Sequence, residues 1–155
     1  MKIFRDINSY FLNRTQPAND YDNSFFIRRI EKGPKHQEPD EEYMAPHKRD
    51  FFEIAILQKS DTNIQIGNQT LHQLENSLAI VSPFQVINYG KTPPKDDYGY
   101  IIYFNASIFT NLNQSYGLQN EFPFFKMHTI PIYQTTKEDF KGILPIAQEL
   151  YCLLY

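Results

Sequence analysis

The chain of 155 residues contains no tryptophan, six glycines and a single cysteine, Cys152. One cysteine cannot form a disulfide within the chain or build a metal site from several thiolates, so the fold is not stabilised by either kind of cross-link. Long apolar runs are also missing, because the stretches at residues 100–104 and 150–155 are far shorter than the roughly 20 residues that a membrane-spanning helix requires. The first six residues include three charged ones, which interrupt any signal-peptide core. We therefore expect a cytoplasmic protein with no membrane partner.

An excess of basic residues is absent as well. Fifteen basic residues against eighteen acidic ones give a net charge of −3 and a pI near 5.8. A nucleic-acid-binding domain normally carries a basic surface, so the chain as given is not expected to bind DNA itself. Hydrophobic residues make up 41% and charged residues 21% of the chain. This balance is typical of a globular protein, and the length fits one domain.

Aromatic residues are abundant instead, with thirteen Phe and eleven Tyr, and they favour β-structure. A short helix is predicted over residues 5–12 and a first strand over residues 25–30. Between residues 50 and 105, short apolar segments alternate with turn signals, including the pair Gly67-Asn68, which suits a tight hairpin turn. No helical pattern separates these segments. The sequence therefore predicts an antiparallel sandwich or barrel.

The C-terminal segment has a different pattern. Thr135 followed by Glu138 predicts a capping box at the start of a helix. Pro145 is expected to break or kink that helix. Its apolar stripe still runs at the last residue and no C-cap signal follows, so we interpret the polypeptide as a fragment. We predict a homodimer through this stripe, the alternative being that the helix packs on the barrel of its own chain. The predicted interface residues are Ile143, Ala147, Leu150 and Leu154.

The most informative segment for function is PHKRDFFE at residues 46–53. His47, Arg49 and Glu53 are separated by even numbers of residues, so on one β-strand their side chains project to the same face. Ala55 and Leu57 continue that face, which therefore begins charged and ends apolar. If the face lines the inside of a barrel, the charged groups form a ligand pocket with an apolar floor. The alternative is an edge strand whose polar end lies in solvent.

The same residues resemble known sequence motifs. His47, Arg49 and Glu53 resemble the first cupin motif, His-x-His-x3-Glu, with Arg49 in place of the second His. The later segment SPFQVIN resembles the second motif, Pro-x-Gly-x2-His, with Gln85 in place of Gly and Asn88 in place of His. With DFFEIAIL, GYIIYFN and FPFF in order around them, the chain from about residue 25 to its end is similar to the N-terminal arm of AraC-family transcription regulators. The likeness is strongest to forms common in Bacteroidetes.

This resemblance implies a mostly β fold, namely a cupin-like double-stranded β-helix (jelly-roll) barrel with a C-terminal helical segment. Residues 1–24 would be an N-terminal helix and linker, residues 25–133 the barrel, and residues 134–155 a truncated dimerisation segment. In the family, the barrel binds a small-molecule effector and the helices after it contribute to dimerisation. Two helix-turn-helix units follow there, and no stretch of this chain matches them. We therefore expect contact with DNA only through an absent C-terminal half.

The departures from the cupin motifs bear on metal binding. Only His47 and Glu53 remain of the usual ligands, Asn88 offers a neutral carbonyl, and the permanent charge of Arg49 repels a cation. We therefore predict no metal, no cofactor and no enzymatic activity. Arginine binds carboxylates bidentately, and histidine and asparagine hydrogen-bond hydroxyls, so the expected effector is a sugar or a small acid. The predicted ligand-binding residues are His47, Arg49, Glu53, Gln85, Asn88 and Tyr103.

Three alternatives stay open at this stage. In the first, Arg49 and Glu53 form an internal ion pair that only holds the barrel mouth shut. In the second, the chain is a small metal-dependent cupin enzyme that acts on a sugar or a small acid. In the third, it is a free-standing metabolite-binding module without a DNA-binding partner domain.

Overall fold

A computed structural model describes residues 1–11, 24–31, 45–61, 63–89, 97–108, 122–126 and 132–154. These residues form ten strands, two α-helices and two short 3₁₀ helices. The strands are β1 (Lys2–Phe4), β2 (Phe25–Ile30), β3 (His47–Arg49), β4 (Phe52–Ser60), β5 (Ile64–Ile66), β6 (Gln69–Leu71), β7 (Leu74–Val81), β8 (Ile87–Asn88), β9 (Tyr98–Phe104) and β10 (Ile132–Gln134). The helices are α1 (Ile7–Phe11), α2 (Lys137–Leu154) and the 3₁₀ turns Ala106–Ile108 and Pro123–Phe125.

The strands form two five-stranded sheets. The first sheet has the order β1-β3-β8-β5-β6 and the second the order β10-β7-β4-β9-β2. All pairs are antiparallel except β1 with β3, which run parallel. This arrangement confirms the prediction of a mostly β fold with a C-terminal helix. The strand β1 was not predicted, and it joins the N-terminal segment directly to the first sheet.

The second sheet buries both of its faces, and strand alternation decides which residues lie on each. On β4, Ala55 faces the first sheet, whereas Ile54 and Ile56 face the other way, toward α2. The register continues across the sheet, since Ala55 lies opposite Ala79 of β7 and opposite Ile101 of β9. Alternate residues of β4 therefore line the space between the sheets, and the residues between them pack against α2.

The hairpin between β5 and β6 confirms the sequence prediction. Gly67 has a φ of 57°, a left-handed conformation that glycine adopts without the steric cost of a side chain. Its N–H donates a hydrogen bond to the carbonyl of Val86, which ties the turn to the segment before β8.

The start of α2 lies one residue later than the capping-box pattern predicts. The hydroxyl of Thr136 accepts a hydrogen bond from the N–H of Asp139 and so caps the helix, whereas the hydroxyl of Thr135 donates to the carbonyl of Asn76. Pro145 does not break the helix, which continues through it to Leu154, and the kink that the sequence offers as the other possibility stays a prediction. Proline removes one backbone donor from the helix, and packing of the helix on the second sheet compensates for that loss.

Helix α2 packs against its own chain. Phe140 and Ala147 are buried in a cluster with residues of β2, β4 and β9. Ile143 and Leu150, also predicted as dimer contacts, are half-buried against the same cluster together with Leu144 and Tyr151. Leu154 is 50% exposed. Three of the four predicted interface residues thus contact the sheet of the same chain, as the alternative interpretation expects.

The N-terminal segment closes one end of the space between the sheets. The predicted helix is present as α1, and its residues Ile7, Tyr10 and Phe11 are almost fully buried. They form a cluster with Phe4 of β1 and with residues of β2, β9 and the segment before β4, namely Phe26, Phe51 and Tyr103. Residues 1–11 are therefore packed as part of the β-structure.

Two glycine substitutions are expected to have opposite effects on stability. A Cβ at Gly99 in β9 would collide with the backbone carbonyl of Ile56, so Gly99→Ala should lower the free energy of unfolding by about 2 kcal/mol or more. Gly142 lies within α2 with open space around it, so Gly142→Ala should raise the free energy of unfolding by up to about 1 kcal/mol. Urea denaturation measures both. Equal effects of the two substitutions would contradict the close approach of β9 to β4.

Candidate ligand-binding cavity

A cavity of about 180 Å³ lies between the two sheets. Its walls are aliphatic, and both sheets contribute to them through Ala55, Leu57, Ile64, Ile66, Leu71, Leu74, Ala79, Val81, Ile87 and Ile101. An apolar protein cavity of about 150 Å³ is known to accommodate benzene. The space therefore has the size of a small metabolite.

Arg49 and Glu53 form the charged inner end of this cavity. Nη1 of Arg49 lies 2.5 Å from Oε2 of Glu53. The two residues are 1% and 6% exposed, and both line the cavity. The face that begins charged and continues through Ala55 and Leu57 is thus present, and it points inward as the pocket interpretation expects.

One detail of that interpretation is wrong, because Arg49 and Glu53 lie on different strands. Arg49 ends β3 in the first sheet, and Glu53 belongs to β4 in the second. The chain leaves the first sheet at Asp50, whose N–H donates to the carbonyl of Phe4, while the carbonyl of Arg49 accepts from the N–H of Phe84. These bonds fix the crossing point. The ion pair therefore connects the two sheets across the cavity end.

Aromatic rings surround the guanidinium of Arg49. Its Cζ lies 5.0 Å from the ring centre of Tyr10, 5.4 Å from that of Phe51 and 5.9 Å from that of Tyr103. Cation–π contacts of this kind stabilise a charge that has been removed from water. Burial by itself lowers the pKa of Arg49, but the carboxylate of Glu53, with smaller contributions from the tyrosines, raises it above its ordinary value. Arg49 therefore stays charged inside the protein.

Part of the hydrogen-bonding capacity of Arg49 is unused. Within the part of the chain that the structure describes, neither Nε nor Nη2 makes a hydrogen bond, and Nη1 contacts Oε2 of Glu53 as an ion pair without hydrogen-bond geometry. These two groups share one edge of the guanidinium, and that edge binds carboxylates with two parallel hydrogen bonds. Buried donors without acceptors lower stability, so an acceptor that a ligand brought to them would offset this cost.

His47 lies behind the cavity rather than in its wall. It is fully buried, and its Nδ1–H donates to the carbonyl of Ala45 at 2.9 Å. Its ring packs against the rings of Phe4, Tyr10 and Tyr89, with ring centres 5.4, 5.7 and 6.1 Å away. Because Tyr89 lines the cavity, His47 supports a wall residue from behind. This position differs from the direct ligand contact that the sequence predicts.

The structure also places the remaining predicted residues outside the cavity wall. Oε1 of Gln85 accepts a hydrogen bond from the N–H of Ser82 and closes a local turn. Asn88 lies between Ile87 and Tyr89, which both line the cavity, so its side chain points to the opposite face of β8. Tyr103 belongs to the N-terminal aromatic cluster and contacts Arg49 from that side. Of the six predicted residues, the cavity brings together Arg49 and Glu53.

The outer end of the cavity contains residues that the sequence analysis missed. Arg28 of β2 shares a face with the wall residue Ile101, its register partner. Arg29 and Glu31 form an exposed ion pair of 2.8 Å at the rim, and Oδ1 of Asp97 accepts a hydrogen bond from the N–H of Asp61. The alternation of FFIRRI, with Phe26 and Ile30 buried or half-buried on the same face as Arg28, was the available signal.

No metal site is evident in the described ranges, where no three His, Cys, Asp or Glu side chains come close enough to share an ion. In the same ranges, no helix has both the length and the apolar character needed to cross a membrane.

Comparison with known protein families shows that residues 34–152, well over half of the chain, match the AraC-like ligand binding domain. Searches of the curated proteins and of the solved structures gave no match. The family's cupin-like β fold agrees with the two sheets described above.

A double-mutant cycle tests the buried ion pair. Arg49→Met should lower the free energy of unfolding by about 3–5 kcal/mol, because it leaves the Glu53 carboxylate buried without its partner, and Glu53→Leu should act similarly. The double variant should be less destabilised than the sum of the two. The exposed pair Arg29 and Glu31 serves as the matched control, and its substitutions should change stability by less than about 1 kcal/mol. If urea denaturation shows that the substitutions at Arg49 and Glu53 lower the free energy of unfolding only slightly and additively, the buried ion pair is refuted.

Proposed function

The chain belongs to the AraC-like ligand-binding domains, and on that premise we propose that it senses a small effector for a transcription regulator. The effector binds in the cavity between the two sheets. The observation that carries this proposal is the charged pair Arg49–Glu53 at the closed end of an aliphatic cavity. A core selected only for stability would fill this space and would not bury a guanidinium with unused donors. A binding site needs both features.

Effector binding acts by population shift. Residues of β4 and β9 that face the cavity would contact the effector, and their neighbours on the opposite face, such as Ile56 and Tyr100, contact α2. A change in the separation or twist of these strands therefore alters the surface on which α2 rests. The effector favours one arrangement of sheet and helix over another, by as much as its affinities for the two differ.

The residues of the cavity favour binding over metal-dependent catalysis. A divalent cation at the cupin position would lie beside the guanidinium of Arg49, which stays charged. In the proposed function the chain is not an enzyme and works in the cytoplasm, and DNA is bound by another part of the regulator. Stoichiometric iron, manganese or zinc in the purified protein would instead favour the enzymatic alternative.

Dimerisation through α2 is also part of the proposal, with a modified set of contacts. Leu154 remains available at 50% exposure, and Ile146 and Leu153 are exposed at 68% and 77%. Ile146 and Leu153 lie seven residues apart, so they share one exposed face of the helix. An exposed aliphatic stripe of this kind is typical of an interface between copies of a chain.

A cavity-filling substitution tests effector binding. A panel of small acids, amino acids and sugars should contain a compound that raises the melting temperature by about 5–10 °C at a hundredfold excess over its dissociation constant. Ala79→Leu places a larger side chain in the wall and should abolish this shift in an otherwise folded protein. Ala45→Leu, at an exposed position, should retain it. The proposal fails if no compound stabilises the native chain, or if Ala79→Leu responds as the control does.

A charge on the exposed stripe tests dimerisation. Ile146→Asp should weaken the dimer at least about tenfold, because an interface core excludes charged residues. Lys141→Glu changes a charge on another face of α2 and should leave the dimer intact. Analytical ultracentrifugation over a range of concentrations measures the dissociation constant. A native chain that is monomeric at the highest concentration would contradict the proposed interface.

A further inference from the structure

The charges that line the cavity balance one another. The lining includes three arginines and three carboxylates, of which Arg29 and Glu31 pair with each other at the exposed rim, and the others are Arg28, Arg49, Glu53 and Asp97. A pocket with no excess of either sign does not concentrate a net anion or a net cation. The effector that fits best therefore carries no net charge, which leaves a neutral polar molecule such as a sugar, or a zwitterion.

The walls distinguish between these two. Ser60 and Tyr89 are the only uncharged polar side chains among the described residues of the lining. A sugar presents several hydroxyl groups, and each one buried without a partner weakens binding. Apart from these two and the six charged residues, the lining consists of isoleucine, leucine, valine and alanine side chains, which match a branched hydrocarbon. The walls thus favour a ligand with an aliphatic body and one compact polar end.

The closed end provides contacts for both charges of a zwitterion. Nη1 of Arg49 is occupied by Glu53, while the edge formed by Nε and Nη2 makes no hydrogen bond to any described residue. That edge suits a carboxylate. Glu53 also lines the cavity, and its carboxylate, which carries a second oxygen besides the Oε2 that faces Nη1, can accept from an ammonium group beside the ion pair.

A single charge on the ligand would be less favourable here. A carboxylate without an ammonium group would place a second anion beside Glu53, and an amine alone would place a second cation beside Arg49. Both would leave an uncompensated charge in a site that is shielded from water. A ligand that carries both charges on one carbon keeps the closed end neutral.

Resting on the proposed effector-sensing function, we infer that the effector is a small α-amino acid with a branched aliphatic side chain. Its carboxylate binds the Nε–Nη2 edge of Arg49, its ammonium group binds Glu53, and its side chain packs on the aliphatic walls. This assignment deepens the function of the same cavity and does not require a second site.

The experiment compares compounds that differ in one group at a time, with calorimetry on the full chain. Leucine, isoleucine and valine carry both charges, isocaproate lacks the ammonium group, isoamylamine lacks the carboxylate, and arabinose represents sugars. We expect at least one of the three amino acids to bind at least about tenfold more tightly than isocaproate, isoamylamine or arabinose.

Variants of the charged pair give a second readout. Glu53→Gln keeps the shape of the side chain and removes its charge, so the tightest amino acid should bind about 30-fold more weakly while isocaproate gains affinity. Lys141→Gln on the surface of α2 should leave both affinities unchanged. If Glu53→Gln does not fold, the compound series on the native chain still decides.

The outcomes separate this inference from the function on which it depends. Binding of isocaproate or arabinose in preference to all three amino acids would overturn the amino-acid assignment and leave effector sensing in place. An unchanged preference in a folded Glu53→Gln variant would overturn the role of Glu53. Absence of binding by every compound in this series and in the broader panel would overturn both proposals.

Discussion

The buried ion pair between Arg49 and Glu53 gives the cavity between the sheets its charged end. It joins the end of β3 in the first sheet to the start of β4 in the second, at the point where the chain passes between them. Its burial is tolerated because aromatic rings surround the guanidinium and the N-terminal segment shields it from solvent. A pair of this kind is a weak source of net stability, since removing two charges from water offsets much of their attraction. Its value lies in fixing a polar end to an otherwise aliphatic cavity.

The alternation of β-strands connects this cavity to the rest of the molecule. Strands β2, β4, β7 and β9 of the second sheet present one set of side chains to the cavity and the next set to α2, so an effector bound as proposed and the helix would contact opposite faces of the same backbone. The aromatic cluster of residues 1–11 contacts Arg49 from a third direction. Binding energy at the closed end can therefore reach both terminal segments without a long pathway, because each lies one side chain away from the cavity wall.

Local patterns in the sequence predicted much of the fold. Alternation predicted the inward face of β4, a turn signal predicted the hairpin at Gly67, and helical spacing predicted α2.

Long-range geometry was not accessible in this way. The alternation of side chains did not reveal that β3 ends at Arg49, because the strand end is fixed by backbone hydrogen bonds with Phe4 and Phe84, which are far away in the sequence. Likeness to a cupin motif placed Asn88 in the site, but its neighbours Ile87 and Tyr89 take the inward face. The stripe on α2 indicated burial without indicating which surface covers it, so three of the expected dimer contacts pack on the sheet of the same chain.

The burial of Arg49 at the closed end can be measured directly by nitrogen-15 NMR of the arginine side chains at mildly alkaline pH. Exposed guanidinium groups exchange their Nε protons quickly with water under these conditions, whereas a group that is 1% exposed is protected. We expect one slowly exchanging Nε–H signal that disappears in Arg49→Lys and shifts when the proposed effector binds. If the signal of Arg49 exchanges as fast as those of the exposed arginines, its side chain lies in solvent and the cavity described above does not exist.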